Sequence, residues 1–292
     1  MHCDTVSRLL GLRREGKAET LRENTGHLDL LRMRQGNYLL QNFALFVDLG
    51  EGRDPWEEVC ALYDCYREEL EKNADIIAPV YRYADIEANE RAGKLSAMLT
   101  VEEGAVCKGE PAKLEALYEM GVRMVTLTWN FPNELGSPNL SREFEGEARK
   151  HTPNLKDGLT ERGREFVEEM ERLGMIPDVS HLSDAGFYDV LEVTKKPFVA
   201  SHSNARAVCP HVRNMTDDMI RRLAERGGVM GLNSYADFLE EVPAGRKNPG
   251  TIAAIVRHAK HIADVGGIEI LGLGSDFDGI DTHAELPGAQ SM

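Results

Sequence analysis

Eight polar residues in this chain have the types and spacing of a metal-dependent hydrolytic site: His2 and Asp4, Glu102 and Glu103, His181, His202, and Asp276 and Asp278. Each lies at or just past the end of a short apolar run. Side chains alternate along a strand, so His2 and Asp4 face the same side and can hold one ion, while Cys3 between them turns away and packs. His181 and His202 can hold a second ion. A carboxylate between the pairs, Glu102 or Glu103, can bridge both at the separation of about 3.5–4 Å that two-metal hydrolysis uses. Imidazole and carboxylate are ligands that zinc takes in catalytic sites. A lone histidine at a strand end is more often a hydrogen-bonded core residue than a ligand, but three at the ends of strands that one sheet brings together shift that balance. His27, His151, His211, His258, His261 and His283 fall in helical or loop segments and are expected to be solvated. Asp178, three residues before His181, is a candidate for fixing an imidazole tautomer from behind.

Positioning these residues requires a frame. The apolar runs are NFALFVDL (42–49), KLSAMLTV (94–101), VRMVTLTW (122–129), MIPDVS (175–180), PFVASHS (197–203), GVMGLNSY (228–235) and EILGLGSD (269–276), and HCD (2–4) reads as the tail of an eighth. Between them lie amphipathic stretches: one opening at Pro55, with Trp56, Val59, Cys60, Tyr63, Tyr66 and Leu70 on one face, then 111–120, 159–173, 183–194, 216–226 and 250–266. Alternation of strand and helix at this spacing specifies parallel βα units, and eight of them close into a (β/α)8 TIM-type barrel with its chemistry at the C-terminal strand ends. An open doubly wound sheet is disfavoured, because neither G-x-G-x-x-G nor a phosphate-binding P-loop is present. The segment 130–158, rich in Asn, Pro and Gly, is too long for a βα turn and is expected as a loop over the barrel mouth.

The 292 residues carry 34 Lys+Arg against 49 Asp+Glu, a net charge of −15, which disfavours nucleic acid or an anionic membrane as partner and leaves small molecules. Five scattered cysteines with no C-x-x-C pair suggest neither a disulfide framework nor a zinc ribbon and fit a reducing cytoplasm. No apolar run approaches the roughly 20 residues that span a bilayer, and the N-terminus lacks the basic-then-apolar pattern of an export signal.

The motifs HCDT (2–5), TVEEG (100–104), DVSH (178–181), SHSNARAVCPHVRN (201–214) and GSDFDG (274–279), in this order over nearly the whole chain, resemble the renal or membrane dipeptidase family of zinc peptidases, its bacterial members in particular. Each motif is short, but five in order on expected strand ends are specific. The resemblance implies a (β/α)8 barrel with two zinc ions, hydrolysis of dipeptides, tolerance of a C-terminal D-residue, and often a homodimer. It makes His2 and Asp4 ligands of one zinc, His181 and His202 ligands of the other, and Glu102 the bridge, since the family's bridging carboxylate directly follows the valine that is Val101 here. It matches Arg213 to an arginine that contacts substrate, where a guanidinium fork suits a dipeptide carboxylate. Asp276 matches the acid that hydrogen-bonds the zinc-bound water, while Asp278 is left to orient its loop.

One position departs: where many members have a histidine after Leu-Thr, this chain has Trp129. An indole donates one hydrogen bond but cannot act as an acid near neutral pH, so the usual substrate clamp changes, with Asn130 or the 130–158 loop as the replacement donor. The mechanism these roles imply is attack by a hydroxide bridging two zinc ions, with Asp276 carrying the proton to the leaving amine. Two other readings are a metal-dependent amidohydrolase for a cyclic amide, lactone or ester, and a non-catalytic barrel. The first usually carries H-x-H where this chain has H-x-D. Only Met1 precedes His2 and 13 residues follow Gly279, so a single barrel over 1–292 is expected to lack the start of its first strand and its closing helix.

Overall fold

The computed structural model describes residues 1–140, 146–243, 246, 248–280 and 288–291. Eight strands form one parallel sheet: β1 (Leu40–Phe46), β2 (Ile77–Val80), β3 (Leu95–Glu102), β4 (Val122–Thr126), β5 (Ile176–Asp178), β6 (Val199–Ala200), β7 (Val229–Asn233) and β8 (Leu271–Ser275). They run in the order β1-β3-β4-β5-β6-β7-β8, with β2 added beside the first half of β3. The ring closes through HCD: Cys3 bridges Phe277 beyond β8, Asp4 N donates to Phe277 O (2.8 Å), and Ala44 N of β1 donates to Cys3 O (3.0 Å). The eighth stave is therefore one bridging residue, and the fold is a (β/α)8-type barrel.

Helices are α1 (Thr5–Arg14), α2 (Leu30–Gln35), α3 (Pro55–Lys72), α4 (Tyr83–Arg91), α5 (Pro111–Glu119), α6 (Glu161–Leu173), α7 (Asp184–Val193), α8 (Asp217–Glu225), α9 (Ala236–Leu239) and α10 (Ile252–Gly266). Their starts are written in the sequence. The Asp54 side chain accepts from Trp56 N and Glu57 N ahead of Pro55, and Thr160, Ser183, Thr216 and Thr251 each accept from the backbone N–H three residues on.

Two expectations need correcting. The buried stripe of α3 comprises Val59, Leu62, Cys65, Tyr66 and Leu70 together with Glu58 and Glu69, while Trp56, Cys60 and Tyr63 are only partly covered. Acidic residues can face inward because Glu58 accepts from Arg14 (2.6 and 2.8 Å) and Arg53 (2.8 Å), and Glu69 from Arg13 and Leu21 N. Those contacts lock α1 against α3. Three of the histidines expected in solvent are buried: His258 accepts from Ala205 N and faces Leu239 O, His211 accepts from Arg213 N, and His27 accepts from Asp278 N. Each packs where it can place a ring nitrogen on a loop backbone. His151 is exposed and His261 half-buried, and His283 lies outside the described residues.

Elements absent from the sequence reading have weak signals. β2 contains Pro79, which argues against a strand; it is tolerated because β2 pairs on one side only. α4 buries none of its residues, so no apolar stripe marks it. The described part of 130–158 is tied to the loops after β5 and β6: Asn139 Nδ2 donates to Asp184 Oδ1 (2.6 Å) and Val212 O (3.1 Å), and Val212 N donates to Lys150 O (2.8 Å).

Candidate active site

The C-terminal strand ends converge as a barrel requires. Glu102 is the last residue of β3, Trp129 follows β4 by three, His181 follows β5 by three, His202 follows β6 by two and Asp276 directly follows β8. His2 and Asp4 flank the bridging Cys3, whose side chain is fully buried in the core. Of the seven non-glycine residues with positive φ among the described residues, five are Glu103, His181, Ser275, Asp276 and Asp278. Backbone strain is concentrated where these side chains are aimed.

Glu102 sits at the centre. Its Oε1 lies 3.1 Å from His181 Nε2 and 3.4 Å from His202 Nε2, while Oε2 lies 3.3 Å from His2 Nε2. His2 Nε2 is 3.2 Å from Asp4 Oδ2 and 3.9 Å from Asp276 Oδ1. Each oxygen of one carboxylate thus faces a separate donor group. Glu103 is turned away, its carboxylate accepting from Ala105 N (3.0 Å), Trp129 N (3.1 Å) and Asn133 Nδ2 (2.5 Å). Burial pushes it up to about 7. The geometry therefore separates the two adjacent glutamates.

The tautomers follow from the outer partners. His181 Nδ1 lies 2.9 Å from Asn130 Oδ1, which can only accept, so Nδ1 carries the proton. His202 Nδ1 lies 2.8 Å from Ser201 Oγ, whose own proton goes to Asp178 Oδ2 at 2.5 Å. Both Nε2 atoms are then bare lone pairs, 2.9 Å apart and aimed with Glu102 Oε1 at one point. Burial keeps the rings neutral, pulling His181 down to about 4 and His202 well below its ordinary value. Three converging lone pairs repel unless a cation lies among them. The opposite corner differs: burial pushes Asp4 up to about 7, and for His2 the charges of Glu102 and Asp4 outweigh burial and raise it well above its ordinary value. His2 Nδ1 and Asp4 Oδ1 are buried with no hydrogen-bond partner among the described residues.

These atoms form two cation-ready groups sharing Glu102: His2, Asp4 and Glu102, and Glu102, His181 and His202. Tetrahedral zinc with bonds of about 2.0–2.1 Å sets its ligands roughly 3.3–3.4 Å apart. His2–Asp4 (3.2 Å), His2–Glu102 (3.3 Å) and His202–Glu102 (3.4 Å) lie near that spacing, and His181–Glu102 (3.1 Å) and His181–His202 (2.9 Å) fall a few tenths of an ångström inside it. The donor set, imidazole and carboxylate oxygen without thiolate, suits zinc.

A cleft of about 520 Å³ opens over this cluster, lined by Phe46 at the end of β1, by Trp129 just after β4, and by Arg213, Tyr235 and Phe238 beyond β6 and β7. Arg213 is not the surface ion pair an isolated arginine would suggest. It is buried, its Nη2 donates to His202 O (3.3 Å), its guanidinium lies over Phe238 (5.4 Å), and its Nε has no hydrogen-bond partner among the described residues. Burial lowers it to about 10, so it still enters the cleft as a cation. Asp276 Oδ2 accepts from Asn233 Nδ2 (2.9 Å), and burial raises its pKa. Asp278 does orient its loop, accepting from Thr5 Oγ1 (2.6 Å) and His27 N (2.7 Å). Gly279 is required beside them, because a Cβ there would lie 2.2 Å from Asp4 Oδ2.

Trp129 packs edge-on against Phe46, with centroids 4.8 Å apart, and 6.2 Å from the His181 ring. Asn130 borders the cleft, and its Oδ1 lies against His181 Nδ1 (2.9 Å), so it supports that ring from behind. Asp178 supports His202 through Ser201 and not the nearer His181. Ser201, Asn233, Tyr235 and Phe238 were not foreseen. Asn233, a polar residue near the end of the run 228–235, has the same strand-end signal as the others, and Tyr235 is the last residue of that run; Phe238, beyond it, has none.

A family model described as membrane dipeptidase, peptidase family M19, matches residues 1–290. An uncharacterized dipeptidase of Schizosaccharomyces pombe is 36% identical over 268 residues, covering 88% of this chain and 62% of that protein. Dipeptidase tcpJ of Claviceps purpurea is 28% identical over 282 residues, 93% of this chain and 63% of that one, so the chain spans a little over three fifths of these relatives. Among solved structures, a dipeptidase described as a metallopeptidase of family M19 superposes with TM-score 0.87 at 28% identity, over 99% of this chain and 87% of that one. A metallopeptidase from Rhodobacter sphaeroides, liganded with a phosphinate mimic of the dipeptide L-Ala-D-Ala, gives TM-score 0.85 at 26% identity, over 99% and 88%.

Proposed function

Because this chain belongs to the membrane dipeptidase family, peptidase family M19, we propose that it is a two-zinc dipeptidase that hydrolyses free dipeptides, including those with a C-terminal D-residue. The observation that carries the reading is the convergence of His181 Nε2, His202 Nε2 and Glu102 Oε1 as three lone pairs, with the other Glu102 oxygen facing His2 and, behind it, Asp4. His2 and Asp4 would hold one zinc, His181 and His202 the other, and Glu102 both. When bound, two zinc ions supply Lewis acidity toward the scissile carbonyl and a hydroxide nucleophile near neutral pH, because they lower the pKa of water from about 15.7 to about 7.

The protein groups do the rest. Arg213, a buried cation with an unpartnered Nε, anchors the substrate carboxylate in a water-poor wall where a charge-assisted bond is strong. Asp276, held through Oδ2 by Asn233, keeps Oδ1 toward the cluster to take a proton and return it to the leaving amine. Phe46 and Trp129 shield the reacting bond from bulk water. Tolerance of a D-residue is supported by the Rhodobacter relative, whose bound mimic is of L-Ala-D-Ala. A cytoplasmic setting belongs to the same proposal: all five cysteines are free, and no helix among the described residues is long and apolar enough to cross a membrane.

The test is a panel of L-L, L-D and D-D dipeptides offered to the zinc-loaded protein. Free amino acids released from L-L and L-D members support the assignment. Cleavage of non-peptide amides or esters alone would overturn it.

A further inference from the structure

Asp178 ends β5 fully buried and receives four hydrogen bonds: Thr126 Oγ1 (2.6 Å) and Ser201 Oγ (2.5 Å) on Oδ2, and Ser180 N (3.0 Å) and Ser201 N (2.8 Å) on Oδ1. A carboxylate can only accept, so both hydroxyls donate to it. Ser201 has a single hydroxyl proton, and the short bond to Asp178 uses it. Its oxygen, 2.8 Å from His202 Nδ1, must therefore accept there. We propose that Ser201 is a positioning residue for metal binding, transmitting the negative charge of Asp178 to the His202 imidazole and holding the tautomer whose Nε2 faces Glu102. The companion ring is supported differently, by the neutral amide oxygen of Asn130.

Two imidazoles that would share one ion thus have unequal backing. His202 is fixed by a buried anion at the end of β5 through the hydroxyl that directly follows β6, and His181 by an amide on the loop after β4. Without the Ser201 oxygen, Nδ1–H loses its acceptor in a fully buried place, and the ring can relieve that cost by moving its proton to Nε2, where it blocks metal. Supporting residues of this kind typically change metal affinity by about 10–100-fold.

The inference rests on the reading of this cluster as a zinc centre, and the experiment separates the two. Zinc affinity is measured by chelator competition, and the His202 tautomer by ¹⁵N NMR of metal-free protein, for the wild type, Ser201→Ala, Ser201→Cys and Thr126→Val. Ser201→Ala and Ser201→Cys should weaken one zinc site about 10–100-fold and lose the pure Nδ1–H tautomer. Thr126→Val, which removes an equal bond to the same Asp178 oxygen but lies off the path to His202, should stay within about threefold. Wild-type affinity and tautomer in both Ser201 variants, or an equal loss in Thr126→Val, overturns the proposal. If the wild type binds no zinc, the metal reading fails, and the tautomer change alone decides whether Ser201 positions the ring.

Discussion

His181 Nε2 and His202 Nε2 lie 2.9 Å apart with no proton for the space between them, because each ring has committed its Nδ1–H to an acceptor behind it. Such an arrangement is stable only with a cation among the lone pairs. The first expected outcome is thermal: zinc at 100 times its dissociation constant stabilises by about 2.7 kcal/mol per site, which for a chain of this size raises Tm by roughly 4 °C for one site and roughly 9 °C for both. A melting curve unmoved by zinc and by chelator would show that the site does not bind it.

Asp276→Asn keeps the shape and the bond to Asn233 but cannot take a proton at Oδ1. Turnover should fall about 10²–10⁴-fold, as loss of a positioned acid–base does, while zinc content stays at wild-type level. Wild-type kcat would remove Asp276 from the proton path.

Arg213 is a buried charge with no ion-pair partner among the described residues, so it costs stability, and in the proposed function the substrate carboxylate offsets that cost. Arg213→Met, of similar length and apolar, should leave Tm unchanged or raise it, and should lower kcat/KM about 10–100-fold through loss of a charged hydrogen bond. Calorimetry and kinetics on the same preparation check both halves. A fall of several degrees in Tm would mean that the guanidinium is structural.

Trp129 and Phe46 form one apolar wall of the cleft. Trp129→Ala should leave zinc content unchanged and reduce kcat/KM more for dipeptides with a large apolar side chain than for Ala-Ala, by about tenfold, the worth of a few buried methylenes. Equal loss across the panel would place Trp129 outside side-chain selection.

Much of this site was legible because one rule governs it: polar residues ending apolar runs meet at one barrel face. His2, Asp4, His181, His202 and Asp276 all follow it, and alternation alone turned Cys3 inward. Choosing between Glu102 and Glu103 lay beyond periodicity, since a left-handed turn at Glu103 (φ 95°) decides which carboxylate enters the cluster. Three buried histidines and the paired glutamates of α3 carry no sign of their burial in the sequence, because burial of a polar side chain depends on partners distant in sequence, such as Arg14 for Glu58 or Ala205 for His258. Ser201 was hidden for the same reason: its role depends on Asp178, on the neighbouring strand.

The central claim, a dipeptidase built on a carboxylate-bridged zinc pair, is tested most directly by titrating zinc into metal-free protein while following dipeptide hydrolysis. The rate should rise to a plateau at two zinc ions per chain and return to baseline with chelator. A plateau at one ion, or no hydrolysis with two bound, would contradict the account.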